Sequence, residues 1–288
     1  MGIIYEEETG PVLIGGKPVK LARYKDGEFL IYNKLKDHWE ASMFEQKDIL
    51  LEIAKGNVEG HSQINKFGSN PDSADGVAEP VWDGGTAYTW PTTASITHLR
   101  AGVDSATTQG IVVEIQGLDT NYASVTQEAT TDASDSTTEV ALSTALRRVF
   151  RIKVYDDTAV DQQIWVGPTG FATKQAIVQI GMNQTLMAIY TIPVGKTGYM
   201  TGYYGDYVRD AVKDPDSVAF GLWNRDNTNG YAPQIKHQKG IPKQAPGFQH
   251  FFKPYLKILE KTDVWLEATA DDADAHIHGG YDIILVDN

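Results

Sequence analysis

After Tyr88 the chain is a succession of short runs rich in Val, Ile, Thr and Tyr, divided by turn-forming residues, with no sustained helical period between them. Runs of this length and composition read as strands of an all-β fold. They fall at 111–116, 122–128, 138–142, 149–155, 163–166, 176–180, 186–192, 198–204, 218–223, 264–269 and 281–286, with turns at Gly117-Leu118-Asp119 and Asp156-Asp157. About a dozen strands exceed the seven to nine of one sandwich. The expected fold class is therefore mainly β, with two β-sandwich domains of jelly-roll or immunoglobulin-like kind over 87–175 and 176–288. A faint echo supports a boundary near 175: Ala87-Tyr88-Thr89-Trp90-Pro91 opens one region and Ile189-Tyr190-Thr191-Ile192-Pro193 lies near the start of the next.

The N-terminal part is built differently. Apolar stretches at 11–14, 19–24 and 28–32 alternate with Gly15-Gly16 and Asp26-Gly27, which predicts two or three short strands. From Asp37 the period changes: Trp39, Met43, Leu50, Ile53 and Ala54 stand three, four or seven apart. This spacing predicts a helix over about 38–55, with Asp37 as N-cap, Glu40 completing a capping box and Gly56 in the left-handed C-terminal position. A β-plus-helix unit over 1–56 buries little surface, so its Trp39, Met43 and Phe44 face is a candidate subunit interface. Residues 57–86 are dense in Gly, Asn, Asp, Pro and Ser and read as an extended linker, pinned by Ile64, Phe67, Val81 and Trp82, of which Ile64, Phe67 and Trp82 join the interface candidates.

Composition removes several function classes. With no cysteine among 288 residues, disulfides, thiol nucleophiles and Cys-based zinc sites are excluded. A formal charge of −13, distributed as −4, −6 and −3 over 1–75, 76–175 and 176–288, argues against a general nucleic-acid surface. No apolar run reaches the ~20 residues of a membrane span, and Glu6-Glu7-Glu8 speaks against a signal peptide. Synthesis in a reducing cytoplasm fits the missing cysteines.

Catalytic and cofactor motifs are not found. Gly60-His61-Ser62 lacks the Gly-x-Ser-x-Gly elbow and reads as a turn, and no glycine-rich phosphate loop follows a strand. Scattered carboxylates nominate no glycosidase pair. The segment 271–278 reads as an acidic hairpin loop, and Asp274, His276 and His278 are the candidate metal ligands within it, because His-x-His on a strand projects both rings to one face. Asp226 to Gly230 reads as a tight turn. Among the abundant aromatics, Tyr203, Tyr204 and Trp223 are candidate sugar-stacking residues.

One resemblance gives these features a setting. Residues 51–62 (Leu-Glu-Ile-Ala-Lys-Gly-Asn-Val-Glu-Gly-His-Ser) and 65–72 (Asn-Lys-Phe-Gly-Ser-Asn-Pro-Asp) resemble structural proteins of tailed bacteriophages. So do Trp82-Asp83-Gly84-Gly85 with Tyr88-Thr89-Trp90-Pro91, Gln116 to Tyr122, Asn183 to Tyr199 and Gly280 to Asn288, which extends the likeness over residues 50–288. The resemblance implies a non-enzymatic virion component without a cofactor. The expected protein decorates a capsid, as a cement protein or head fibre, and is held by its N-terminal unit and linker; a tail or collar component is the alternative. Implied partners are copies of itself, a trimer being favoured, with the major capsid protein or tail and connector proteins. No nucleic acid or membrane is expected. An adhesion module for host-surface glycans is the reading from a different class.

Overall fold

The computed structural model describes residues 48–288 except 156–158, 209–214, 244, 246 and 274, together with the backbone of five short strands before residue 43. The chain forms two compact units, Met1–Val58 and Glu59–Asn288. The first contains β1 (Val12–Ile14), β2 (Lys17–Val19), β3 (Leu21–Arg23), β4 (Phe29–Asn33), β5 (His38–Ser42) and α1 (Ile49–Ala54). β1 and β2 form an antiparallel pair, and β3, β4 and β5 form a second antiparallel sheet.

The helix expected over 38–55 is therefore corrected to six residues. Trp39 lies on β5, where its backbone pairs opposite Tyr32; Asp37, Met43 and Phe44 lie outside the described residues. Asp48 supplies the cap, its Oδ1 accepting from the amides of Leu50 at 3.0 Å and Leu51 at 3.4 Å. The apolar spacing that suggested a longer helix joins a strand to a helix, and a cap at Asp48 sets where the helical hydrogen bonding begins. Gly56 has φ +74°, the left-handed conformation expected after the helix.

The second unit is mainly β, as expected. It opens with β6 (His61–Asn70) and β7 (Glu79–Pro80). Then come β8 (Ile96–Ala101), β9 (Val112–Leu118), β10 (Ser124–Thr130), β11 (Val140–Leu146), β12 (Arg148–Val154), β13 (Ile164–Gly167) and β14 (Ala176–Val178). They make two antiparallel sheets in the orders β10-β9-β12 and β11-β8-β13-β14. Alternate residues of both meet in one core that includes Ile96, Leu99, Val113, Ile115, Ile152, Ile164 and Val166.

A second sandwich follows from β15 (Ile189–Thr191), β16 (Lys196–Val208), β17 (Ser217–Asp226), β18 (Gln234–Pro242), β19 (Phe248–Ile258), β20 (Thr262–Ala270) and β21 (His276–Asp287). Its sheets run β15-β20-β17-β18, with β7 also on β20, and β19-β16-β21-β6. Tyr203, Phe220, Leu222, Leu266, Tyr281 and Ile283 fill the space between them.

The linker reading of 57–86 needs correction over much of its length. β6 pairs with β21 for ten residues, from Ile277↔Asn70 to Val286↔His61. A Cβ on Gly68 would lie 2.1 Å from the Val81 carbonyl oxygen, so the backbone of 81 passes directly over β6 and only glycine fits there. Turn-forming residues in this stretch permit close backbone approach inside a sandwich. Ala176–Val178, read as opening the second domain, belongs to a sheet of the first sandwich.

Candidate functional site: a basic, aromatic flank of the second sandwich

β18 and β19 each end their sheet, bonded to β17 and β16 respectively. They share one flank, because β16 and β17 face each other: a Cβ on Gly205 would meet the Phe220 ring at 2.6 Å. A ring cluster closes the space between the two edges. Tyr203 Oη and His237 Nδ1 share a 2.6 Å hydrogen bond, the His237 and His250 rings stack at 4.0 Å, and Phe248 meets Tyr203 edge-on at 5.0 Å. Burial, reinforced by the neighbouring His250 and Lys239, lowers the pKa of His237 and favours the neutral ring.

Outside this cluster the flank is apolar and cationic together. Ile235, Phe251 and Tyr255 are exposed, at 44, 58 and 48% of their surface. Residues 234–261 hold six lysines and one acidic residue, Glu260, within a chain whose total charge is −13. Lys239, Lys253 and Lys257 form no ion pair among the described residues. Lysine and proline on an edge strand, here with Pro242 and Pro254, oppose the addition of another strand. The flank is thus closed to backbone pairing while its side chains offer rings and positive charge.

The joint between the sandwiches holds the other concentration of charge. Asp263 on β20 is fully buried. It accepts two hydrogen bonds from Arg148 of β12, Nε to Oδ1 at 2.9 Å and Nη2 to Oδ2 at 3.0 Å. Arg225 Nη2 at 2.6 Å, Thr191 Oγ1 at 2.6 Å and Asn227 Nδ2 at 2.9 Å also donate to it. Burial alone would raise the pKa of Asp263, but these donors, Arg148 first among them, hold it below the usual carboxylate range. Trp90 lies beneath both guanidinium groups, 5.3 Å from Arg148 and 4.9 Å from Arg225.

Several candidates from the sequence take other places. Tyr203 is 1% exposed and belongs to the core, so it offers no ring face to a sugar. Tyr204 and Trp223 are half-buried, and Trp223 stacks parallel on Trp265 at 6.2 Å. Trp82 is buried among Tyr88 and the first core, donating its indole N–H to the Thr86 carbonyl at 2.7 Å, which corrects its reading as an interface residue. Ile64 and Phe67 are half-buried on β6, with Ile64 against the second core. His276 and His278 share a face of β21, where His278 Nδ1 lies 3.2 Å from Asp206; Asp274 is outside the described residues. No group of three potential metal-ligating side chains converges among the described residues. Tyr204 and the β21 histidines belong to one sheet of the second sandwich and Trp223 to the other.

No protein-family model matches this chain, and no curated protein matches it in sequence.

Proposed function

We propose that the chain is a non-enzymatic structural subunit that assembles with copies of itself, as a capsid-decorating cement or head-fibre protein of a tailed-phage virion. The observation carrying self-assembly is the lysine-rich, ring-bearing flank of β18 and β19 on an otherwise acidic chain. Its exposed rings favour a protein contact, and its charge favours the acidic remainder of a second copy. Two flanks meeting about a twofold axis would set lysine against lysine, so the favoured contact is heterologous and closes as a small ring such as a trimer. The resemblance over residues 50–288 supports the virion setting.

Light scattering on the full chain tests the assembly. An oligomer is expected at low salt, and Lys239→Glu with Lys253→Glu is expected to reduce it to monomer; a monomer at every concentration overturns the reading. Counting copies per purified particle tests the location. Hundreds would support capsid decoration, whereas a dozen or fewer would move the protein to the tail or collar.

A further inference from the structure

At one end of the second sandwich, the connection from β17 to β18 and the turn from β19 to β20 border a cleft of about 230 Å³. We infer that this cleft binds a single acidic sugar residue, a uronic or sialic acid unit, through its carboxylate and one ring face. The inference does not depend on the virion setting.

Size sets the first limit: pockets enclosing drug-sized ligands span roughly 300 to 1,000 Å³, so this smaller cleft suits one ring rather than an oligomer. Charge sets the second. Lys236 and Lys257 both line the cleft, and neither forms an ion pair among the described residues. Among the described residues, Lys236 Nζ donates only to Gln234 Oε1, at 2.8 Å. The acidic residue of the lining, Asp226, is committed to its own turn: its carboxylate accepts from the amides of Thr228 at 2.8 Å and Asn229 at 3.1 Å, and from Asn229 Nδ2 at 2.7 Å. Those donors keep Asp226 ionised, so the two ammonium groups leave the lining with a net charge of one positive for an anion.

The third feature separates a sugar from a simple anion. Tyr231 leaves 56% of its surface exposed at the cleft, and its amide donates to the Asp226 carbonyl at 3.1 Å, which ties the ring-bearing residue to the turn. An exposed tyrosine ring packs on the C–H face of a pyranose. Asn224 and Gln234, opposite each other in the β17–β18 register, supply amide donors and acceptors for hydroxyl or acetamido groups. Phosphate alone would use the lysines and leave the ring and amides without a role.

Isothermal titration of the full chain with N-acetylneuraminic acid, glucuronic acid, glucose and inorganic phosphate tests this. Binding of at least one acidic sugar is expected, with glucose, which lacks the carboxylate, and phosphate, which lacks the ring face, each at least about tenfold weaker. Tyr231→Ala and Lys257→Gln should each weaken the acidic sugar by about tenfold, while Tyr231→Phe and Lys239→Gln leave it unchanged. Glucose or phosphate binding as well as the acidic sugars, no detectable binding of either acid, or acid binding indifferent to Tyr231→Ala would overturn the inference. Because assembly is tested through Lys239 and Lys253, either reading can fail without the other.

Discussion

At Asp263 each carboxylate oxygen is answered by at least two donors, whereas the lysines of β18 and β19 form no ion pair among the described residues. Both regions concentrate charge on mainly apolar sheets, but burial divides their roles. A buried carboxylate is tolerated only when paired and hydrogen-bonded, and the pairing dictates how its neighbours sit. Arg148 comes from the first sandwich and Asp263 from the second, so their bidentate contact specifies the joint between two cores that apolar burial alone would leave less defined. Exposed lysines are hydrated and interact weakly at a distance, so they add little to the fold and remain available to a partner.

Breaking the joint should give the largest effect. Arg148→Met leaves Asp263 buried with Arg225 as its remaining cation and removes two donors. Truncating one partner of a buried pair costs about 3 to 5 kcal/mol; the lower end is expected here because Arg225, Thr191 and Asn227 stay. Urea unfolding at neutral pH measures the loss. A stability within about 0.5 kcal/mol of the wild type, the range of ordinary surface substitutions, would show that the joint is held by its aromatic packing instead.

A second buried pair sharpens the comparison, because its charges are not answered so fully. Burial pushes the Asp83 carboxyl up to about 8, against amide donation from Leu186 and the attraction of Lys66. Burial, aided by repulsion from Arg151, brings Lys66 down to about 7. Between pH 4 and 8 the folded chain retains the Asp83 proton that the unfolded chain releases, so this group makes stability fall as pH rises. Between pH 7 and 10.5 the unfolded chain retains the Lys66 proton that the folded chain releases, so stability recovers. Denaturation midpoints should therefore pass through a minimum near pH 7 to 8. Asp83→Asn preserves an acceptor for the Leu186 amide and should flatten the fall between pH 4 and 8, by about 1 to 3 kcal/mol across the window. An unchanged pH profile in the variant would assign the fall to other groups.

The sequence carried the strands of the sandwiches well because period and composition agree there: 111–116 and 149–155 lie almost wholly within β9 and β12, and 281–286 within β21. It carried β6 poorly, since Asn65, Gly68, Ser69 and Asn70 have turn composition and the pairing partner lies more than 200 residues away. The helix failed for a local reason, the stronger cap at Asp48. The basic flank is legible but averaged away: the net −3 of 176–288 conceals six lysines against Glu260 within 234–261. Asp263 had no such signal, because one aspartate before Val264-Trp265-Leu266 resembles any strand-end residue until Arg148 is folded against it. Tyr203 was misread as a stacking residue for the same reason, since alternation along β16 decides which tyrosine faces the core.

The smallest expected effect concerns the flank itself. Lys253→Gln with Lys257→Gln removes two exposed charges that make no ion pair among the described residues, and neither side chain enters a core. The monomer's stability should change by less than about 0.5 kcal/mol, in contrast with the loss at Arg148. Stability should also respond little to salt in both proteins, because these charges are not paired in the folded chain, whereas any association through the flank should weaken with salt in the wild type and much less in the variant. Measuring unfolding and self-association over the same salt series separates the two regions directly. A variant that loses stability as Arg148→Met does would mean that the lysines support the edge strands, and the division between buried charge for the fold and exposed charge for recognition would not hold.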